Sequence, residues 1–193
     1  MEIDDLRRLM ANMESDRVER TVTKTDTAKF GQAICALSND FPHHRQPGYL
    51  LVGVDDRTGA AVGLEITDRD LQTFGGLRSD GNILPLPIIM VERLHLSEAE
   101  GDVAVITVLP SDLPPVRYKG QCWIRIGPRR GIASESDERL LHERRTALAV
   151  TFDARPCVGA TVADLAIDLF QTSYLPNAVT EDVLDENHRD VRA

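Results

Sequence analysis

An apolar run in this sequence ends in two adjacent acids. The stretch GYLLVGVDDRTG carries Asp55 and Asp56 directly after a segment rich in leucine and valine and before a Thr-Gly pair. One interpretation is a hairpin turn, because a short Asp side chain hydrogen-bonds the backbone N–H groups that follow it. The other is that a strand brings a carboxylate to the edge of a site where further acids meet it. The pattern leaves both interpretations open.

A second candidate for chemistry is the segment GPRRG, in which Arg129 and Arg130 stand between glycines. An arginine guanidinium binds phosphate through two parallel hydrogen bonds, and flanking glycines let the backbone approach a ligand closely. We predict a loop here that leaves a strand. The surrounding run from 117 to 134 has five basic residues and no acid, and its candidate phosphate contacts are Arg117, Lys119, Arg125, Arg129 and Arg130.

Two aromatic residues, Tyr118 and Trp123, lie inside the same basic run. Aromatic rings next to cationic side chains stack on nucleic-acid bases. A single tryptophan in a strand such as QCWIRI is equally typical of a core. Trp123 is therefore a candidate for base stacking, with core packing as the alternative.

Composition limits the partners of this chain. Its 193 residues, 42% hydrophobic and 27% charged, fit one domain plus an extension, or two small domains. No apolar stretch approaches the roughly 20 residues of a membrane helix, and the N-terminus is charged, so we expect a cytoplasmic protein without a membrane partner. The net charge of −9 opposes binding to nucleic acid, but residues 146–193 alone carry −5, which leaves the basic run as a separate surface.

Cysteine and histidine patterns favour neither disulfides nor zinc. Cys35, Cys122 and Cys157 are an odd number at wide spacing without a CxxC pair, so we expect them to act as small core side chains. The five histidines show neither an HxxH nor an HExxH spacing. No GxxxxGK[ST] phosphate loop occurs, and ATP binding is not expected in this domain.

Apolar periodicity and turn residues predict an α+β fold with a mixed sheet of about five strands and about three helices. The predicted helices lie over 3–13, 28–39, 67–74 and 134–145, and the predicted strands over 49–54, 60–64, 103–110 and 121–126, with another from 88 onward and a short exposed one within 16–22. We divide the chain into a leading helix (1–13), a central domain (14–148) and a short helical extension (149–193). Helices predicted over 162–171 and 180–187 in the extension fit the start of a further region.

Four segments in order carry a resemblance to a known family. ESDRVE, ICALSND, GYLLVGVDDRTGAAVGL and PPVRYKGQCWIRIGPRRGIAS together resemble the Schlafen AlbA-type domain over roughly residues 14–145. The resemblance implies an AlbA-like fold that binds nucleic acid and that in bacteria is commonly attached to transcriptional regulators. It also implies a homodimer, because AlbA-like folds often pair.

The same resemblance gives the carboxylates a role. In Schlafen nucleases two glutamates five residues apart and an aspartate after the GV strand carry the activity, and the matching positions here are Glu14, Glu19 and either Asp55 or Asp56. Three converging carboxylates can hold Mg²⁺ or Mn²⁺, which activates a water for phosphodiester cleavage. Many members have an aromatic residue and a lysine after the second glutamate, where this chain has Arg20 and Thr21, so Arg20 or Lys24 is the candidate replacement.

Three hypotheses follow. The preferred one is a nucleic-acid-binding domain of a bacterial transcriptional-regulator-like protein, whose partner is DNA or RNA. The alternatives are a metal-dependent nuclease that uses Glu14, Glu19 and Asp55 or Asp56, and a protein-interaction or oligomerisation domain.

Overall fold

A computed structural model divides the chain into two units, Met1–Ala149 and Val150–Ala193, and describes residues 1–97, 99–148, 161, 164 and 166–174. The first unit is an α+β domain, which confirms the predicted fold class. Its helices are α1 (Ile3–Ala11), α2 (Thr27–Asn39), α3 (Asp68–Gly76) and α4 (Glu135–Leu148). Its strands are β1 (Val18–Thr21), β2 (Gly48–Val52), β3 (Ile83–Leu84), β4 (Ile89–Ser97), β5 (Gly101–Val108), β6 (Arg117–Tyr118), β7 (Gln121–Ile126) and β8 (Arg129–Ile132).

The strands form two four-stranded sheets. The first has the order β1-β2-β5-β4 and is mixed, because β1 and β2 are parallel whereas β2, β5 and β4 are antiparallel neighbours. The second has the order β3-β6-β7-β8 and is antiparallel throughout. The sequence predicted about five strands because β3 and β6 are two residues long and β8 is short and basic, so none of the three shows an apolar period.

Helices cover both faces of the first sheet. Along β5, Val103 and Val105 pack with Leu6 and Met10 of α1, whereas the alternate residue Ile106 packs with α2. Two buried faces explain why β2 and β5 are apolar without alternation. The strand prediction over 49–54 rested on this continuous apolar run.

Helix α2 lies between the two sheets. Its Phe30 and Ile34 share one core with Leu50 of the first sheet and Tyr118 of the second. On the outer face of the second sheet, Leu141 of α4 packs against Cys122 and Ile124 in a smaller core. The layers therefore run α1, first sheet, α2, second sheet and α4.

Side-chain caps begin three of the helices. Asp26 caps α2 by accepting from Lys29 N at 2.9 Å. Ser134 and Asp137 exchange hydrogen bonds at the start of α4, with Ser134 N to Asp137 Oδ2 at 2.9 Å and Asp137 N to Ser134 Oγ at 3.3 Å. Thr67 and Asp70 form the same reciprocal capping box at α3.

Several local predictions differ from the structure. The strand within 16–22 is mostly buried rather than exposed, because β1 pairs with the central strand β2 and α1 covers it. Residues 60–64 are not a full hairpin arm, since one antiparallel bridge, Val54 to Ala61, joins them to the chain before them. GPRRG is not an open loop: Gly127 and Pro128 turn the chain, and Arg129 and Arg130 begin β8.

Two of the cysteines are core residues, as expected. Burial raises the pKa of Cys35 to about 12 and that of Cys122 to about 11, so both thiols stay protonated at neutral pH. Cys157 lies outside the described residues. Among the residues that are described, no helix has the length and apolarity needed to cross a membrane.

The second unit has a short helix, α5 (Ile167–Leu169), that continues into a π-helical turn, Phe170–Tyr174. The rings of Phe170 and Tyr174 stack with centroids 5.3 Å apart. This segment coincides with part of the helix predicted over 162–171. The helix predicted over 180–187 lies outside the described residues.

Candidate functional site

Some members of both groups of predicted site residues line one cleft of about 580 Å³ between β1, the turn after β2, and the β7–β8 hairpin. We call it the arginine cleft. Its charged residues are Glu14, Glu19, Arg20, Asp56, Arg57, Arg125 and Arg130, with Trp123 beside them. Four arginines against three carboxylates give this lining a formal charge of +1.

Glu19 is the most constrained carboxylate of the cleft. Its Oε2 accepts from Arg125 Nη1, and its Oε1 accepts from Arg130 Nη1 at 3.1 Å. The Glu19 side chain is 13% exposed, against 3% for Arg125 and 16% for Arg130. The hypothesised catalytic acid and two of the hypothesised phosphate contacts are thus bound to one another.

Backbone carbonyls fix the guanidinium of Arg125. Its Nη2 donates to Val18 O at 3.1 Å and to Pro128 O at 3.0 Å. Arg130 Nη1 also donates to Lys29 O at 3.3 Å, and the Arg130 guanidinium lies 5.8 Å from the ring centroid of Trp123. Both arginines therefore have supports that do not depend on Glu19.

The structure separates the two adjacent aspartates. Asp55 Oδ1 accepts from Arg57 N at 3.0 Å and from Thr58 N at 2.8 Å, and the Thr58 N–H is the main cause that lowers the pKa of Asp55. Asp55 therefore stabilises the turn, as the first interpretation of GVDD had it. Asp56 lines the arginine cleft together with Glu14 and Glu19, as the second had it.

The carboxylates share the cleft without forming a compact metal-binding group. Within the described part of the chain, no three or more His, Cys, Asp or Glu side chains lie close enough together to hold a metal ion. Both oxygens of Glu19 already accept hydrogen bonds from arginine. Glu14, Glu19 and Asp56 line the same cleft, but they would have to move closer together to hold Mg²⁺ or Mn²⁺, and Glu19 would first have to leave its arginines.

The two candidate basic replacements are both bound to other groups of the chain. Arg20 is 2% exposed, and its Nη2 donates to the carbonyls of Leu9 and Asn12 at the end of α1. Burial is the main cause that lowers the pKa of Arg20, and the nearby charge of Arg125 acts in the same direction. Lys24 Nζ pairs with Asp70 Oδ2 at 2.8 Å.

Trp123 packs as the core interpretation predicts, and its stacking on bases stays a prediction. It packs against the main core and also lines the arginine cleft beneath Arg130. Among the described residues, its Nε1 and the Nε atoms of Arg20 and Arg125 are buried without a hydrogen-bond partner.

A second cavity, of about 450 Å³, contains two more of the predicted contacts, Arg117 and Lys119, between β3, β6 and α4. We call it the basic groove. Its lining includes Arg117, Lys119, His142 and Arg145. Within the described chain, no Asp or Glu lines it. Arg117 Nη2 pairs with Glu138 Oε2 at 2.5 Å behind the groove, and Lys119 Nζ lies 5.4 Å from the ring centroid of Tyr118.

The six predicted nucleic-acid contacts therefore fall into three places. Arg125, Arg130 and Trp123 line the arginine cleft, and Arg117 and Lys119 line the basic groove. Arg129 is exposed on β8. Sequence reasoning missed His142 and Arg145, although their i, i+3 spacing on a predicted helix puts them on one face.

The fold and the two cavities define an α+β domain in which arginine and lysine side chains line two clefts. The chain belongs to the Schlafen AlbA_2 family, whose model matches residues 14–134. Membership of this family is consistent with a nucleic-acid-binding domain. Among curated proteins, none has a sequence that matches this chain significantly.

A crystal structure of the DIP2311 protein from Corynebacterium diphtheriae is similar to this chain at 16% identity with a TM-score of 0.49. The similarity covers 94% of this chain and 39% of that protein. This chain thus spans about two fifths of that protein's length.

Proposed function

We propose that this protein is a nucleic-acid-binding domain whose basic groove contacts phosphates. The observation that carries the proposal is the gathering of Arg117, Lys119 and Arg145 around one groove that no described acid lines. Lysine and arginine neutralise backbone phosphates and release condensed counterions, which supplies most non-specific affinity for nucleic acid. Family membership supports the same function.

The groove is a better primary contact than the GPRRG segment. Arg125 and Arg130 both pair with the nearly buried Glu19, whereas Lys119 has a ring contact and Arg117 pairs with Glu138, whose side chain is 30% exposed. A phosphate that approaches the groove meets cationic side chains without first breaking a buried ion pair. Arg129, exposed on the β7–β8 hairpin, is a further candidate phosphate contact.

The test is a fluorescence anisotropy titration of labelled single-stranded and double-stranded DNA and RNA. We expect the double variant Lys119→Ala/Arg145→Ala to bind at least about tenfold more weakly than the wild type, because two phosphate contacts are lost. The matched control is Arg8→Ala/Arg69→Ala, which removes two cations that lie outside the groove. Equal affinities of the groove variant and the wild type would overturn the proposal.

A second candidate function is a metal-dependent nuclease, favoured by the placement of Glu14, Glu19 and Asp56 around one cleft. Such a nuclease would shorten a nucleic-acid probe only when Mn²⁺ or Mg²⁺ is present. The two adjacent aspartates form a matched pair: Asp56→Asn should abolish cleavage, and Asp55→Asn should retain it because the amide oxygen still accepts the turn hydrogen bonds. Undiminished cleavage by Asp56→Asn would assign the activity to a contaminant.

We also propose that the domain serves a bacterial transcriptional-regulator-like protein and forms a homodimer. Selection from a random duplex library tests the first part, because a regulator enriches one sequence motif whereas uniform recovery contradicts that role. Light scattering of the purified chain tests the second part, and a monomer mass at working concentration contradicts it. A dimer whose interface covers GPRRG would instead favour the protein-interaction alternative.

A further inference from the structure

The arginine cleft contains two guanidinium groups whose counterion comes from the chain itself. We propose that Arg125 and Arg130 form a binding site for a phosphate dianion, such as the terminal phosphate of a nucleic-acid strand, and that Glu19 is its resting occupant. The phosphate binds by displacing the Glu19 carboxylate. This proposal rests on the proposed nucleic-acid binding and adds to the basic groove a second site that reads strand ends.

The donors of this site are in place before any ligand arrives. Arg125 is 3% exposed and stays fixed by the carbonyls of Val18 and Pro128, at 3.1 and 3.0 Å. Arg130 is held by the carbonyl of Lys29 and by the ring of Trp123. Because these supports do not involve Glu19, both guanidinium groups keep their positions when the carboxylate leaves, and little ordering cost accompanies phosphate binding.

Charge favours a dianion over the resting carboxylate. Glu19 supplies a charge of −1, and a phosphate monoester carries roughly −1.5 to −2 at pH 7 with three strong acceptor oxygens. The cleft retains a formal charge of +1 with Glu19 in place. Arg125 and Arg130 together carry +2, which a phosphate dianion matches and the single carboxylate of Glu19 does not.

Phosphate can reach the Glu19 carboxylate through the arginine cleft. Glu19 and Arg130 lie at its wall, 13% and 16% exposed, and the cavity of about 580 Å³ has room for a phosphate group and for the displaced side chain. Displacement also frees Glu19 in the cleft that Glu14 and Asp56 share. Phosphate binding and the release of this carboxylate are thereby one event.

The experiment is a titration with inorganic phosphate at constant ionic strength, balanced with chloride. Trp123 is the one tryptophan of the chain and lies under Arg130, so its fluorescence reports on the site. We expect Glu19→Gln to bind phosphate at least about tenfold more tightly than the wild type, and phosphate to raise its melting temperature more. Phosphate binding by Glu19→Gln that is no tighter than in the wild type would overturn the proposal.

The control variant is Glu100→Gln, which breaks another two-oxygen carboxylate–arginine pair, with Arg7, outside the cleft. It should bind phosphate as the wild type does. Where Glu19→Gln fails to fold, Glu19→Asp serves, because it keeps the charge but shortens its reach. Phosphate affinity above the wild-type value is expected for this variant, and an unchanged or lower affinity contradicts the proposal.

Oligonucleotides with a 5′-phosphate and a 5′-hydroxyl separate the two claims. If Glu19→Gln binds inorganic phosphate more tightly than the wild type but no oligonucleotide binds, the proposed function is overturned and the anion site is supported. Oligonucleotide binding without any effect of Glu19 on phosphate affinity would overturn the anion site alone. Preference of the Glu19→Gln variant for the 5′-phosphorylated strand is the result we expect.

Discussion

Glu19 on β1 accepts a hydrogen bond from Arg125 on β7, and this ion pair joins the first sheet to the second across 106 positions of sequence. Both side chains are nearly buried. The pair is thus a structural link between the sheets as well as a feature of the arginine cleft. Its contribution to the free energy of unfolding can be measured without a ligand.

Removing Arg125 should be costly. The Arg125→Ala variant leaves Glu19 with a single arginine partner in a poorly solvated place, and loss of one partner of a buried pair typically costs about 3–5 kcal/mol. Arg129→Ala, an exposed neighbour on the same hairpin, should change stability by no more than about 0.5 kcal/mol. Urea denaturation measures both, and similar midpoints for the two variants would show that the pair adds nothing.

Glycine is required at position 31 of α2 because of Tyr118. A Cβ built on Gly31 overlaps the Tyr118 ring, whereas one built on Gly76 of α3 meets nothing within 4 Å. Gly31→Ala should therefore destabilise the domain by about 1–3 kcal/mol through overpacking. Gly76→Ala should leave stability unchanged or raise it by roughly 0.5–1 kcal/mol. Thermal denaturation of both variants measures this difference in stability. Equal melting temperatures would show that α2 and the second sheet can move apart to accept the added methyl group.

Asn39 connects α2 to the second sheet. It is 3% exposed, its Nδ2 donates to Val116 O and Trp123 O at 2.9 and 2.8 Å, and its Oδ1 accepts from Val116 N at 2.7 Å. Asn39→Ala leaves these backbone groups unpaired at a cost of about 1–3 kcal/mol each. Asn12→Ala, at an exposed position, is the control. Equal unfolding free energies for the two variants would contradict this account.

Acid should destabilise the start of α3. Lys24 Nζ and then Thr67 N, which both donate to Asp70, lower the pKa of Asp70 from 3.8 to about 2. Because the pKa is depressed in the folded state, the stabilisation is complete above about pH 4 and is lost as pH falls toward about 2. Asp70→Asn should remove this part of the pH dependence, and Lys24→Met should shift the loss to higher pH. Melting temperatures from pH 2 to pH 6 test it, and an unaltered profile in Asp70→Asn refutes the assignment.

Much of the fold could be predicted from sequence because local signals were strong. The apolar period of α2 and the Ser134 to Asp137 capping box of α4 specify their elements without help from distant residues. Strand β7 was predicted with its observed bounds for the same reason. In contrast, β8 begins with two arginines, and only its pairing with β7 makes it a strand.

The site was predictable in its members but not in its pairings. The spacing of Glu14 and Glu19 and the GVDD stretch located three residues of the cleft, yet only the backbone direction of the turn shows that Asp56 faces it and Asp55 does not. The sequence also offered no sign that Glu19 binds Arg125, since nothing local relates residues 106 positions apart. The tertiary fold, and not the local sequence, decides that Glu19 pairs with Arg125.

Salt dependence of affinity tests the central claim most directly. For the wild type and the Lys119→Ala/Arg145→Ala variant, the logarithm of the binding constant for duplex DNA would be measured against the logarithm of salt concentration. We predict a steep negative slope for the wild type and a slope shallower by about 2 for the variant, because each lost phosphate contact removes roughly 0.9. Identical slopes, or binding that does not respond to salt, would contradict phosphate recognition by the basic groove.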